Sequence, residues 1–345
     1  MPTLNKTKQE TKLIFKWGGI LLAVVFIFLM VARFTSLVNQ SLTPPSPPQA
    51  AFGKLPEISF PNQSKENIKY SLDTLSGFLP SFPDRTKVYK ITTNPPTLGA
   101  LSRTREKVSQ TGFTSNETRI SQDVYQWPDP TSVLQRKITM NILSSDFTLS
   151  SLYLTSQSLQ KFTNLDEQNN AIELATSFLK RMSLFASDID PEKTKITLYS
   201  VEKGTLVPIS KISNTTIVKV NFFQKSLDGL PIYYEKSPES TISLIIGKEN
   251  NGLKVVGARY FHKNISDISS TYAIKSTSQA FDELRQGKGY IASKPQNAAE
   301  IIIKKASLGY YIGENQDNFL MPIIIFEGDD FLGYVSAVRD EWIDN

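Results

Sequence analysis

The segment VNFFQKSLDGLPIYYEKSPESTISLIIG, residues 220–247, predicts a strand, a tight turn and further strands. Apolar and polar residues alternate at its start, which is typical of a sheet with one face in water. Asp228 and Gly229 stand between two apolar runs, and Asp-Gly is a strong signal for a two-residue hairpin turn. The segment therefore predicts antiparallel hairpins, and it contains no pattern of catalytic residues.

Two predicted helices accompany these strands. The first covers residues 164–185, where Asn164 and Glu167 resemble a capping box. Its apolar residues recur at helical spacing and form one stripe: Ala171, Leu174, Ala175, Phe178, Leu179 and Met182. The second helix begins at Ser276 and stops at Gly287. Helix, antiparallel strands, helix and strands again predict an α+β fold, with helices packed on one face of a sheet.

Most of the net charge of +5 lies at the N-terminus. Residues 1–40 contain five basic residues and one acidic residue, which leaves 33 basic and 32 acidic residues in the remainder. A nearly neutral body lacks the basic surface that a nucleic-acid backbone requires. The sequence therefore predicts no nucleic-acid partner.

An uncharged apolar run, WGGILLAVVFIFLMVA at residues 17–32, predicts a single-pass transmembrane helix. Flanking apolar residues extend it toward the roughly 20 residues that a bilayer needs, and Lys16 and Arg33 can reach the interfaces. A secretory signal peptide is the alternative, but no small-residue cleavage site follows closely. Because four lysines precede the run, the positive-inside rule places the N-terminus in the cytoplasm and the body outside the cell membrane. The lack of cysteine in an exported body favours a bacterial cell.

The exported part is predicted to have a linker and two units. Residues 41–64 are rich in proline and predict an extended linker with nothing to bury. Two α+β units with antiparallel sheets follow, residues 65–160 and residues 161–345. Trp127 is predicted to cap the core of the first unit. Residues 1–40 form the cytoplasmic tail and the anchor.

The second unit resembles the PepSY and thermolysin-propeptide type of module, in which a helix precedes a meander of strands. The match is carried by Asp228, Gly229, Leu230 and Pro231 ahead of the next strand. The hairpin TISLIIGKENNGLKVVGARY then follows, as in those modules.

The last part of the chain resembles the C-terminal region of the YycH/YycI-like regulators. These are membrane-anchored extracytoplasmic proteins that act on a two-component histidine kinase. The two resemblances together cover roughly residues 165–340. The matching positions are Ala280, Leu284, Gly287, Leu308, Gly309, Tyr310, Tyr311, Pro322 and Phe326. Because that family is not enzymatic, the resemblance implies no catalytic residues and no cofactor.

The sequence offers few residues for catalysis or metal binding. With no cysteine and with His262 as the only histidine, a nucleophile–base pair is disfavoured and a zinc site is excluded. His262 is predicted to be a surface or half-buried residue of a sheet. Two carboxylate pairs remain as candidates for glycan cleavage or for a calcium ion: Asp188 with Asp190, and Asp329 with Asp330.

Tyr310, Tyr311 and Tyr334 fall on predicted C-terminal strands. In one interpretation they pack against each other across the strands. In the other they form an exposed surface for a protein partner, because exposed tyrosines suit interfaces.

We therefore expect a membrane-anchored extracytoplasmic module that is not an enzyme and that senses or modulates an envelope protein such as a histidine kinase. Two alternatives stay open. One is a cell-wall glycan hydrolase that uses carboxylates, and the other is a propeptide-like inhibitor or chaperone of a secreted peptidase.

Overall fold

The computed structural model describes residues 49–63, 68–93, 95, 97–250, 252–296, 298–314 and 318–344, together with Phe26, Met30 and Arg33. The predicted membrane span at residues 17–32 lies outside the described residues, except for Phe26 and Met30. Among the described residues, no helix is long and apolar enough to cross a membrane. The chain divides into two compact units, Met1–Pro47 and Pro48–Asn345, and the second unit holds the fold described below.

The described helices are α1 (Ala100–Ser109), α2 (Leu165–Arg181) and α3 (Thr277–Arg285), with 3-10 turns at Ile212–Asn214 and Asp340–Trp342. The strands are β1 (Leu55–Pro56), β2 (Lys69–Leu72), β3 (Arg85–Thr92), β4 (Thr118–Arg119), β5 (Val124–Pro128), β6 (Lys137–Asn141), β7 (Phe147–Ser150), β8 (Ile189–Glu202), β9 (Thr205–Ile209), β10 (Ile217–Gln224), β11 (Ile232–Tyr234), β12 (Ile242–Glu249), β13 (Gly252–Tyr260), β14 (Asn264–Ala273), β15 (Tyr290–Ser293), β16 (Glu300–Ile303), β17 (Lys305–Ile312), β18 (Phe319–Gly328), β19 (Phe331–Ser336) and β20 (Ile343–Asp344).

The larger sheet has nine strands in the order β4-β5-β6-β7-β13-β12-β10-β8-β9, and each neighbouring pair is antiparallel. Its halves meet where β7 pairs with β13, with Leu149 opposite Ala258. Strands β4 to β7, which precede residue 160, therefore continue the sheet that is formed by β8, β9, β10, β12 and β13. The predicted boundary between residues 65–160 and residues 161–345 falls inside this sheet, so both predicted units belong to one body.

Helices α1 and α2 share one apolar core with the nine-stranded sheet. Helix α2 starts as predicted, because the Oδ1 of Asn164 accepts a hydrogen bond from the N–H of Glu167 at 3.0 Å. The predicted stripe is the buried side of this helix, apart from the partly buried Leu174: Ala171, Ala175, Phe178, Leu179 and Met182. Trp127 is fully buried in the same core, also as predicted.

The second sheet has seven strands. Its main path is β11-β17-β18-β19-β15, and β3 pairs with both β14 and β18 beside that path. Strand β11 is parallel to β17, whereas β17, β18 and β19 form an antiparallel meander. Two short parallel pairs, β1 with β20 and β2 with β16, complete the fold. Antiparallel sheets with few helices confirm the predicted α+β class.

Helix α3 packs on the seven-stranded sheet, with the ring of Phe281 centred 5.7 Å from that of Phe326. Its N-terminus is a complete capping box. The Oγ of Ser276 accepts from the N–H of Gln279 at 3.2 Å, and the Oε1 of Gln279 accepts from the N–H of Ser276 at 2.9 Å. Gly287, at φ 72°, follows the end of the helix. The predicted start and stop of this helix are confirmed.

Residues 49–60, which we call the strap, are folded onto the seven-stranded sheet. Leu55 is fully buried, Ile58 is 4% exposed, and both belong to a core with side chains of that sheet. The ring of Phe60 stacks on that of Tyr290, with the ring centres 5.3 Å apart. The prediction of a linker with nothing to bury is wrong here, because the apolar residues between the prolines fill a core.

The turn at Asp228 and Gly229 joins the two sheets. Both residues have positive φ, 51° and 77°, and the backbones of Leu227 and Leu230 exchange two hydrogen bonds of 2.9 Å. Beyond the turn, β11 does not return along β10 but pairs with β17 in the other sheet. The predicted hairpin is wrong in its strand pairing, although the turn itself has the expected conformation.

Candidate functional site

The three tyrosines that were considered for a partner surface lie in the interior. Tyr310, Tyr311 and Tyr334 are each 0% exposed. The rings of Tyr311 and Tyr334 lie 6.0 Å apart in one core, whereas Tyr310 contacts Tyr89 in another at 5.8 Å. Burial raises the pKa of all three phenols above its ordinary value. The interpretation of a surface for a protein partner is therefore wrong, and aromatic packing accounts for these residues.

The only histidine is paired with one of the predicted carboxylates. The side chain of His262, just after β13, is 6% exposed, and its Nε2 lies 2.8 and 3.0 Å from the two oxygens of Asp188. The Nε2 of Gln224 donates to the same carboxylate at 2.7 Å. Within the described chain, no hydroxyl group forms a hydrogen bond with His262. The arrangement thus lacks the hydroxyl nucleophile of a Ser-His-Asp triad.

This pair belongs to a polar junction between the two sheets, formed by Asp188, Gln224, Tyr234 and His262. The backbone N–H of Gln224, at the end of β10, donates to the phenol oxygen of Tyr234 in β11 at 3.0 Å. The amide side chain of Gln224 also donates to the carbonyl of Lys263 at 3.0 Å. Buried polar groups stabilise a fold only when they are bonded. The polar junction therefore holds the two sheets in a fixed relation.

The chemistry available at the polar junction is limited. A cavity beside it, lined by Ser144, Asp146 and His262 among others, has a volume of about 60 Å³, which is too small for a sugar ring. Burial by itself raises the pKa of Asp188, but the hydrogen bonds from His262 and Gln224 outweigh it and keep this pKa below its ordinary value. An ionised, bonded carboxylate does not match a general acid, which needs a raised pKa.

The other candidate carboxylates are engaged separately. Asp190 lies 3.7 Å from the ammonium of Lys193, and Asp329 lies 2.6 Å from that of Lys304. Asp330, at φ 52°, occupies the turn between β18 and β19. In the part of the chain that the structure describes, no three carboxylate or histidine side chains are grouped to hold a metal ion.

The segment between β10 and β11, residues 225–231, passes from one sheet to the other, and we call it the crossover. Its predicted turn residues contact two strands of the seven-stranded sheet, β3 and β17. The Nζ of Lys87 lies 2.9 Å from the carboxylate of Asp228, and the hydroxyl of Tyr89 donates to the same carboxylate. These hydrogen bonds, from Tyr89 first and then from Lys87, lower the pKa of Asp228. The carbonyl of Pro231 accepts from the N–H of Tyr310 at 2.9 Å. These residues therefore fasten the crossover onto the seven-stranded sheet.

An exposed turn that was not predicted from the sequence lies at residues 74–78, and we call it the apolar turn. Leu75 is fully exposed and Phe78 is 78% exposed. The hydroxyl of Thr74 donates to the carbonyl of Phe78 at 2.8 Å, and the N–H of Gly77 donates to the carbonyl of Thr74 at 2.9 Å. The turn is thus held in shape while both large side chains face solvent. Its signal in the sequence is Ser-Gly between apolar residues.

The surface beside the apolar turn is slightly acidic. Asp73 precedes the turn, and its N–H donates to the carbonyl of Ile303 at 2.9 Å, next to Lys304. The hydrogen bond to Asp329, together with the charges of Asp329 and Asp73, raises the pKa of Lys304. Two carboxylates therefore stand near one ammonium at this side of the turn.

No protein-family model and no curated protein sequence matches this chain. Among solved structures, an uncharacterized protein from Eubacterium rectale ATCC 33656 is similar at 13% identity and a TM-score of 0.39, over 79% of this chain and 90% of that one. The Bacillus megaterium YpeB C-terminal domain is similar at 14% identity and a TM-score of 0.30, over 72% of this chain and 95% of that one. Similarities at these TM-scores support no conclusion about function, and the YycH/YycI-like resemblance stays a prediction.

Proposed function

We propose that this chain is a membrane-anchored extracytoplasmic binding module that acts on an envelope protein, such as a histidine kinase, without chemistry of its own. The observation that carries the proposal is the apolar turn. A soluble surface rarely fixes a fully exposed leucine and a largely exposed phenylalanine within four residues of each other, and such features mark interaction sites.

The energetics of the apolar turn suit a binding anchor. Burying a leucine or a phenylalanine side chain contributes about 1.5–3 kcal/mol each. The hydrogen bonds from Thr74 and Gly77 already hold the turn in shape, so that little conformational entropy remains to be lost on binding. Leu75 and Phe78 thus have the properties of interface hot spots.

We assign the apolar turn to a protein partner rather than to the lipid surface. Anionic lipids attract clusters of lysine and arginine, whereas Lys304, near Asp73 at the base of the turn, is already paired with Asp329. The engaged carboxylates support the non-enzymatic part of the proposal. Asp188 is bonded to His262 and Gln224, and Asp329 is paired with Lys304.

The experiment is photo-crosslinking in cells that express the full chain. A photoreactive residue replaces Leu75, Phe78 or, as the matched control, Val133, which is 81% exposed on a different loop. We expect one discrete protein adduct from positions 75 and 78 and not from position 133, with mass spectrometry identifying an envelope protein.

The other outcomes count against the proposal. Lipid adducts at positions 75 and 78 would assign the turn to the membrane surface. Equal adducts at all three positions, or no adduct, would remove the turn as a binding site. Phe78→Ser should abolish the adduct from position 75 and leave the thermal midpoint unchanged, because Phe78 contributes little to the core.

A further inference from the structure

A cavity of about 270 Å³ lies between α1 and the turn that joins β6 to β7. It adjoins the smaller cavity beside the polar junction, because both are lined by the β6–β7 turn, but no residue of the polar junction or of the apolar turn lines it. Helix α1 contributes Arg103, Thr104 and Lys107 to its wall, and the turn contributes Ile142, Leu143 and Ser145. The two charged side chains in this wall, Arg103 and Lys107, are both cationic.

The two cations have no acidic partner in the described chain. Arg103 and Lys107 form no ion pair with any described carboxylate, whereas Arg105 on the same helix binds Glu117 through both of its guanidinium branches. The helix therefore neutralises the cation that lies away from the cavity and leaves the two at the cavity uncompensated.

This arrangement costs stability in the absence of a ligand. Residues four apart on a helix are neighbours, and a like-charge pair at this spacing is destabilising. Burial first, and then the charge of Arg103, lower the pKa of Lys107. An anion bound between the two side chains would offset their repulsion and would raise the pKa of Lys107.

Hydrogen-bond donors surround the same space. The guanidinium of Arg103 donates to the carbonyl of Leu98 at 3.2 Å and to the hydroxyl of Thr97, and these two bonds fix its position. Helix α1 starts at Gly99 with no side-chain cap and has no acidic residue in its first turn. The positive end of the helix dipole therefore lies on the side of Arg103, whose guanidinium reaches back to Leu98, whereas Lys107 lies in the last turn of the helix.

We infer that this cavity binds the phosphate group of an anionic ligand through Arg103 and Lys107. A guanidinium matches phosphate oxygens in a bidentate geometry, and an ammonium supplies a second charge. Two cations are better compensated by a phosphate dianion than by a carboxylate. The volume admits the phosphate and part of the group that carries it. The inference is independent of the proposed protein partner, which uses a different surface.

The test measures the thermal midpoint of the full chain in neutral detergent micelles. Sodium phosphate is compared with sodium chloride at equal ionic strength and pH. We expect phosphate to raise the midpoint of the wild type, and we expect Lys107→Gln and Arg103→Gln to lose that rise. Arg181→Gln, which removes an exposed cation from α2, is the charge-matched control and should keep the rise.

Direct titration then separates two sources of phosphate. Glycerol 3-phosphate represents a small phosphate monoester, and a poly(glycerol phosphate) chain represents an envelope phosphodiester polymer. We expect Lys107→Gln to raise the dissociation constant of the tighter of the two at least tenfold. The ligand with the lower dissociation constant identifies the chemical source of the phosphate group.

Two results would overturn the inference. One is an equal response to phosphate in the wild type, Lys107→Gln and Arg181→Gln. The other is an unchanged dissociation constant for Lys107→Gln. Arg103→Gln can also disturb the bonds to Thr97 and Leu98, so Lys107 is the decisive position. In chloride alone, Lys107→Gln should leave the midpoint unchanged or raise it, which shows that its lost response to phosphate is not a loss of folding.

Discussion

The two sheets of this protein are assembled in different ways. In the nine-stranded sheet, most neighbours in space are neighbours in sequence: β4 to β7 form one meander, and β8–β9 and β12–β13 are hairpins. In the seven-stranded sheet, β11 pairs with β17, and β3 pairs with β14 and β18, so that segments far apart in the chain meet. The first sheet is specified by local turns, and the second depends on parts of the chain that arrive from elsewhere.

This difference locates where the fold is vulnerable. Long-range pairs must overcome more chain entropy before their contacts form. The seven-stranded sheet therefore needs the strap and the crossover turn to hold it, whereas the nine-stranded sheet rests on α1, α2 and its own hairpins. Loss of the strap or of the crossover turn should therefore destabilise the seven-stranded sheet and leave the nine-stranded sheet protected.

Deleting residues 49–62 from the full chain should remove on the order of 5 kcal/mol of unfolding free energy. The deletion empties the places of Leu55 and Ile58 in the core, and each such loss costs about 2–5 kcal/mol. Hydrogen exchange should show lost protection in β17, β18 and β19, with β10 and β12 still protected. Leu55→Ala should give part of this loss, and Glu57→Ala, at an exposed position of the strap, should give none. An unchanged exchange pattern after the deletion would mean that the strap is a passive linker.

Gly309→Ala should destabilise the protein by about 2–3 kcal/mol. A Cβ at this position of β17 would lie 2.8 Å from the carbonyl oxygen of Pro231 and 2.8 Å from the ring of Tyr233, so β11 would have to shift. Chemical denaturation gives the value, and Lys305→Ala, at a mostly exposed side chain of the same strand, is the control. A loss below about 0.5 kcal/mol would show that β11 does not pack closely on β17.

Gly229→Val should cost about 1–2 kcal/mol. Space is not the reason, since no heavy atom outside the adjacent residues lies within 4 Å of a Cβ built there; the reason is the φ of 77°, which a β-branched residue adopts only with strain. Gly229→Asn should retain most of the stability, because asparagine tolerates this region. Equal midpoints for the valine and asparagine variants would contradict the crossover geometry.

The smallest effect concerns the ion pair at the edge of the nine-stranded sheet. Hydrogen bonds from Arg105 are the main cause that lowers the pKa of Glu117 to about 2, below the ~4.3 of an unfolded chain. A depressed carboxylate pKa stabilises the fold above pH ~4.3, and that contribution is lost as the pH falls toward about 2. Arg105 is 54% exposed, so the contribution is limited to a few tenths of a kcal/mol, up to about 1.

The measurement for this ion pair compares the unfolding free energies of the wild type and Glu117→Gln at pH 7 and pH 3. The wild type should lose more stability on acidification than the variant, by roughly half of the ion pair's contribution, because Glu117 is still mostly ionised in the folded state at pH 3. The same acid sensitivity in both proteins would show that other carboxylates account for it.

Local features of the sequence were sufficient to predict the β12–β13 hairpin and the starts of both predicted helices. The apolar stripe from Ala171 to Met182, the cap at Asn164 and the capping box at Ser276 depend on residues within a few positions of each other. Their geometry is set by the helical repeat, so the pattern alone predicts them. The same holds for the conformation at Asp228 and Gly229, since an Asp-Gly pair accepts positive φ wherever it stands.

Only the tertiary structure decided which partners these elements meet. Alternation shows that a strand has a buried face, but it does not identify the neighbours of that strand in a sheet. β11 was therefore predicted to pair with β10, whereas it pairs with β17. Composition made residues 41–64 look like a linker, although Leu55 and Ile58 fill a core formed by distant strands. In the same way, local sequence did not show that the three C-terminal tyrosines are buried or that Leu75 and Phe78 are exposed. Burial is a property of the whole assembled surface, because an apolar side chain is covered by whatever packs beside it, and the chain positions that supply this cover lie up to hundreds of residues away.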